Sequence, residues 1–231
     1  MSRPQTGQGE NHESEDTPSR VNVESFGRSS VNGTYSLNSG SLISSLGEYV
    51  GEGGSGAFNR TGGTNTSAFT LFIGDQNGST GACNLAGRTF TSSAEIVGNN
   101  EPATFGDTGG ESNEIDSLTI SGTGVFDLAN TSLIINYTGK SDPVGSIQGY
   151  LASGYNGGNW NGPGINSSSS AANHSYALSY ADSADPGNPA RLLPDEVEIK
   201  YTLYGDANVD GVAHGVDFGI LPANFGTSGK S

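Results

Sequence analysis

The chain is short of the residues that carry most protein chemistry. It has one cysteine in 231 residues, Cys83, which excludes an internal disulfide and any cysteine-based zinc or iron–sulfur site. Cations are scarce as well: 9 Lys and Arg stand against 24 Asp and Glu, a net charge of -15. Such a surface repels phosphate backbones and anionic lipid, which argues against nucleic-acid binding and suits a calcium-containing extracellular medium. No apolar run approaches the roughly 18 residues that span a bilayer, so no membrane span is expected. The segment from Met1 to Arg20 is polar and shows no apolar core of a signal peptide. With 32% hydrophobic residues the chain is also poor in material for a compact helical core.

Glycine is what the chain has in excess, 37 residues, and it punctuates a repeat. Gly33-Thr-Tyr-Ser, Gly56-Ala-Phe-Asn and Gly81-Ala-Cys-Asn begin units 23 and 25 residues apart. Each unit adds a second short segment at the same offset: Glu48-Tyr-Val-Gly, Leu71-Phe-Ile-Gly and Glu95-Ile-Val-Gly. Short alternating strands, glycine corners and a period in the low twenties predict an all-β fold, a β-solenoid or β-helix-like stack. Leucine-rich repeats share the period but not this pattern. Each coil buries against the next a face that it cannot bury alone. Tyr35, Phe58 and Cys83 then share one stacked position, and Tyr49, Phe72 and Ile96 another, so Cys83 reads as a small core residue rather than a nucleophile. Glu48 and Glu95 recur in register with Leu71 between them. They are read as an outward-facing row, the alternative being a pair of glycosidase carboxylates.

Flanking segments complete the organisation. Residues 1–29 are polar and read as a disordered leader, with a misassigned start as the alternative. Glu101 to Glu114 is acidic and Gly-rich and reads as a loop or irregular coil. Leu118 to Tyr137 returns to strand-like alternation. Asp142-Pro143 caps one short helix carrying Val144, Ile147 and Leu151 at helical spacing, with Gly154 as its stop. The loop after it holds the only tryptophan, Trp160, which reads as a plug on the end of the solenoid, with stacking on a sugar ring as the alternative. His174 has no Ser–Asp pair near it in sequence and reads as an exposed loop residue. Val197, Ile199, Tyr201 and Leu203 alternate with polar residues and predict a half-buried final strand. The domains are therefore 1–29 leader, 30–141 solenoid, 142–204 capping region and 205–231 a terminal loop and helix.

That terminal stretch, GDANVDGVAHGVDFGIL from Gly205 to Leu221, combines residue types and spacing into a metal-site pattern. Asp206, Asn208 and Asp210 alternate, Gly211 follows at a sharp turn, and Asp217 closes a twelve-residue loop. Hard cations need six to eight oxygens, so the expected ligand of this loop is calcium, Ca2+. Its ligands would be the side chains of Asp206, Asn208, Asp210 and Asp217 with the backbone carbonyl of Val212. His214 would lie outside the ligand set, and Val216, Ile220 and Leu221 would face the core. The alternative is a solvated Asp/Asn/Gly turn.

The Asp at the twelfth position and the helix after it resemble a type I dockerin repeat. Asp206, Asn208, Asp210, Gly211, Asp217 and Leu221 fill its places, Ala213, His214 and the helix-interrupting Pro222 depart from it, and one repeat stands where dockerins hold two. From Gly33-Thr-Tyr through LASGYNGGNWNGPGI, SYALSYADS and VEIKYTLYGDANVDG, residues 30 to 226 are similar to the C-terminal part of secreted β-repeat proteins of planctomycete-type bacteria. Those proteins resemble autotransporter passengers. The resemblance implies an extracellular or cell-surface location, a fragment of a longer protein, and a cohesin-like protein, a cell-surface protein or an extracellular polysaccharide as partner. The expected function is a calcium-binding structural or attachment protein that performs no catalysis. A dockerin-bearing component of polysaccharide degradation and a surface adhesin are the alternatives.

Overall fold

The computed structural model describes residues 19–21, 24–26, 32–44, 47–85, 91–97, 103–107 and 112–224. Strands dominate. In chain order they are β1 (Ser19–Val21), β2 (Glu24–Phe26), β3 (Gly33–Leu37), β4 (Ser41–Ser44), β5 (Glu48–Val50), β6 (Ser55–Arg60), β7 (Thr64–Ile73) and β8 (Thr80–Leu85). β9 (Thr91–Val97), β10 (Ala103–Asp107), β11 (Ser112–Ile115), β12 (Leu118–Ile120), β13 (Val125–Asp127) and β14 (Ser132–Asn136) follow. The C-terminal part holds α1 (Val144–Tyr155), β15 (Gly164–Asn166), α2 (Ser168–Ala172), β16 (Tyr176–Asp182), β17 (Glu196–Leu203) and α3 (Gly215–Asn224).

The chain winds between two sheets, as the expected β-solenoid requires. One is parallel throughout and runs β3, β6, β8, β10, β13, β15, so its spatial order is its sequence order. The other runs β1, β4, β7, β9, β11, β14, β17, β16, with β5 also on β7, β2 on β5, and β12 on β9. Coil rises on coil by one strand spacing, about 4.8 Å. Identical register places therefore form columns. Tyr35, Phe58, Cys83, Phe105, Phe126 and Ile165 stand one above another. Phe58, Cys83, Phe126 and Ile165 are fully buried, each aromatic contributing about 1.5–3 kcal/mol of transfer free energy. Polar columns decorate the outside, where Asn84 donates to Asn59 at 2.9 Å and Ser41 meets Thr64 at 2.8 Å. The repeat glycines have a steric cause: a Cβ on Gly81 would lie 2.3 Å from the Val50 carbonyl oxygen of the opposing sheet.

Several expectations are corrected. β1 and β2 lie inside the supposed leader and pair with β4 and β5, so the second sheet starts before residue 29; residues 1–18 are outside the described residues. The supposed loop at 101–114 contains β10 and β11, which extend both sheets. Glu48 does not face outward. Period-two alternation couples it to Val50, and the inward pull of Val50, 0% exposed, carries Glu48 inside to 1% exposure. Tyr49 turns out instead and stacks on Phe72 at 4.7 Å with 9° between the rings.

The end of the stack changes character. β14 pairs antiparallel with β17, and β17 antiparallel with β16, which ends the parallel winding. α1 lies across β15. The helix N-cap is Pro143 rather than Asp142, which sits one residue earlier and accepts from the Val144 amide at 2.8 Å; Ile147 and Leu151 are buried. Gly154 does not stop the helix. It is the contact point with β15, where a Cβ would fall 1.8 Å from the Ile165 carbonyl oxygen, and the helix ends at Asn156 with φ 42. α2 is a further helix absent from the sequence reading.

Candidate metal centre

The loop that follows β17 is built by its own side chains. Asp206 sits four residues after Thr202, whose hydroxyl bonds Asp206 Oδ2. Asp206 Oδ2 also accepts from the Gly211 amide at 2.8 Å, and Oδ1 from the Asp210 amide at 3.1 Å. Asn208 accepts from the same Asp210 amide at 3.2 Å and donates to Asp210 Oδ2 at 2.9 Å. Asp210 Oδ1 takes the Val212 amide at 2.9 Å. These bonds curl the chain so tightly that two residues adopt left-handed backbone, Gly211 at φ 94 and Val209 at φ 59. Glycine takes that conformation freely, whereas for a β-branched residue it is strained. Val209 is buried, and its carbonyl accepts from Lys200 Nζ at 2.8 Å, which fastens the loop to β17.

Asp217 reaches back from the first turn of α3, as the spacing predicts. Its Oδ1 accepts from the amides of Ala207 at 3.0 Å and Asn208 at 3.2 Å. Its Oδ2 accepts from the His214 amide at 2.7 Å and contacts His214 Nδ1 at 2.7 Å. Burial alone would raise this carboxyl, but those amides and the His214 ring outweigh it and lower it to about 2. Asp206, Asn208 and Asp217 are 3%, 8% and 3% exposed, while Asp210 and Val212 are exposed.

The structure thus brings four of the expected side chains into one hydrogen-bonded loop but aims their oxygens chiefly at amides. Among the described residues no group of three or more His, Cys, Asp or Glu side chains is gathered closely enough to hold an ion. Carboxylate oxygens offer about two lone pairs each. Asp206 Oδ1 and Asp210 Oδ1, with one donor apiece, keep accepting capacity; Asp217, with two contacts on each oxygen, is saturated. The expected packing of the helix is corrected: Val216 is 58% and Phe218 72% exposed, Ile220 is half-buried, and the Leu221 side chain is outside the described residues. Thr202 and Lys200 were missed. Both occupy the polar phase of the β17 alternation, and only the fold shows that the loop turns back onto them.

The other candidates resolve differently. Cys83 is buried in the interior column, as expected. Glu48 accepts from Asn65 Nδ2 at 2.9 Å inside the coil, and Glu95 holds the predicted register with Leu71 while its side chain lies outside the described residues. Trp160 is 4% exposed, belongs to the main core and stands edge-on to Tyr155 at 5.1 Å, in keeping with a plug on the end of the stack. His174 is exposed. Comparison with protein-family models, with curated proteins and with solved structures finds no match.

Proposed function

We propose that this chain is a calcium-binding structural protein of the extracellular space or cell surface, a solenoid stalk with an attachment loop after its cap. The observation that carries the reading is the twelve-residue loop from Asp206 to Asp217. It holds three carboxylates and one amide side chain on a backbone bent through Val209 and Gly211, with two of the carboxylates buried. Burying like charges together costs stability unless donors or a cation compensate. The donor set is all hard oxygen, which fits calcium and not a thiophilic metal. Asp206, Asn208 and Asp210 would hold the ion together with the Val212 carbonyl, and Asp217 would join after giving up His214. When bound, calcium supplies a charge that neutralises the loop. The stack of coils supplies length and rigidity, and a cohesin-like or other surface protein, or an extracellular polysaccharide, is the partner class this reading implies.

Calorimetric titration with calcium chloride tests the site. Wild-type protein should bind about one ion with a Kd of roughly 10⁻⁵ to 10⁻³ M, the range of single extracellular-type loops. Asp206→Ala and Asp217→Ala should abolish the heat. Equal heats in all three proteins would take the loop out of the reading.

A further inference from the structure

β16 is the last strand of its sheet, and its outer edge is only partly finished. The bonds from Ser183 N to the Glu196 carbonyl and from Tyr204 N to the Ser175 carbonyl set the ladder phase with β17. Odd-numbered residues of β16 therefore bond β17, and the even-numbered ones turn their N–H and C=O groups to the free side. At one end of that side the Tyr176 amide is taken by the Asn173 carbonyl at 3.1 Å. At the other, the Asp182 amide is taken by Asp185 Oδ2 at 3.3 Å. Leu178 lies between these closures. Its outward N–H and C=O have no partner among the described residues, although the residue is 8% exposed.

A cavity of about 580 Å³ opens beside this gap. Four consecutive strand residues, 177 to 180, line it, which happens when a cavity runs along a strand's edge rather than over one of its faces. The opposite wall is α1, through Leu151 and Tyr155, with Trp160 and Tyr204 beside them. The walls are thus chiefly apolar, with aromatic rings from Tyr155, Trp160, Tyr180 and Tyr204 and polar groups from Gln148 and Ser179. α1 rests on β15 and reaches β16 through Gln148, whose Nε2 donates to the Tyr180 hydroxyl at 2.7 Å on the cavity wall. Trp160 Nε1 is buried and unpartnered. Past the cavity lining, the surface toward the end of β16 is acidic: Asp185 and Asp142 are exposed near the buried Asp182 and act on its charge.

We propose that this edge receives an extended segment of a partner polypeptide. The segment's backbone would complete the bonds of Leu178, an aromatic side chain would fill the cavity, and a Lys or Arg two residues along would meet the acidic surface. Main-chain pairing supplies affinity in such strand addition, and the side-chain pocket supplies selectivity. The acidic surface selects a basic segment, and this chain, with 24 acidic against 9 basic residues, is a poor donor of one. A foreign chain is therefore favoured over a second copy. The proposal is independent of calcium.

The sole tryptophan lines the cavity, so its fluorescence reports occupancy. The probe is the acetylated, amidated peptide Thr-Val-Phe-Thr-Lys-Thr, titrated to about 1 mM, the weak end of specific recognition. A saturable change in Trp160 emission is expected. Leu178→Pro removes the outward amide together with a buried side chain and should weaken binding roughly fivefold or more, in a protein whose far-UV circular dichroism shows that the fold is kept. Tyr155→Ala removes a cavity wall without altering the strand and should weaken it comparably, as should replacing the peptide's Phe by Ala or its Lys by Glu. No response to the peptide, or an equal response in Tyr155→Ala, would overturn the proposal. Saturation by cellohexaose alone would assign the cavity to a sugar. Self-association in sedimentation that Leu178→Pro abolishes would assign the edge to a second copy. Either result would also overturn it.

Discussion

In the coils from β1 to β14 each strand pairs in parallel with its counterpart 20 to 25 residues away, and contacts recur between like positions, as in the Ser41–Thr64 and Ser55–Thr80 hydroxyl pairs. Beyond them β14, β17 and β16 pair antiparallel, while β15 still adds in parallel to β13, and every contact is singular. Tyr137 donates to Asp182 at 3.2 Å, Gln148 to Tyr180 at 2.7 Å, and the Ile120 amide to the Tyr150 hydroxyl at 3.2 Å. The coils stabilise one another by nearest-neighbour stacking, so a local defect is shared along the stack. The cap terminates that stacking and must be held by specific bonds. Both candidate sites, the calcium loop and the open β16 edge, fall in or after the cap, where the chain is released from the demand that each layer resemble the last.

Each region carries its own reporter, Cys83 in the coils and Trp160 in the cap, so the comparison can be broken experimentally. The largest effect is expected from Phe58→Ala. Phe58 is fully buried between Tyr35, at 5.8 Å between ring centroids, and Cys83. Its loss should cost about 3–5 kcal/mol and expose the Cys83 thiol to a labelling reagent that reaches it in wild type only after denaturant is added. Rapid labelling of the wild-type thiol would mean that the column is wrongly drawn.

Gly154→Ala comes next. The added methyl group meets backbone at 1.8 Å, so α1 must lift from β15 at a cost of about 1–3 kcal/mol. Trp160 emission should shift while Cys83 stays protected. Simultaneous loss of both signals would show that cap and coils melt as one unit, and the distinction between them would fall.

The smallest effect is expected at Asp182. Burial raises its carboxyl above 3.8, opposed by the Ala184 amide; Asp142 and Asp185 raise it further, while the Tyr137 hydroxyl lowers it. A folded pKa above the unfolded one gives a contribution fully present below the unfolded value and lost as pH rises through the folded one. Asp182→Asn keeps the acceptor oxygen and removes that loss. Its Tm should be slightly higher than wild type at pH 7 and equal at pH 3. A higher wild-type Tm at pH 7 would mean that the ionised carboxylate stabilises the cap.

The repeat was legible because stacking forces like residues into like places: Gly56 and Gly81, Phe58 and Cys83, Tyr49 and Phe72 pair as their spacing demands. The β17 strand was legible for a similar reason, since Val197 and Ile199 alternate with polar neighbours and are fully buried. The direction of the Glu48 row was not, because a three-residue strand leaves two choices of face and only the neighbouring coil settles which side is inside. The 101–114 segment was misread because its glycines and acidic residues mask two short strands that gain their order from β8, β9 and β13 above and below.

By itself the amino-acid sequence determined the winding, the columns and the position of an acid-rich loop, since these follow from local spacing. The tertiary structure decided the rest: that Glu48 points inward, that Gly154 is a contact and not a stop, that Asp217 is saturated by amides and the His214 ring, and that Leu178 stands on an unfinished edge. Each of these depends on which backbone lies opposite. Segments far apart in the chain set that, and no local pattern encodes it.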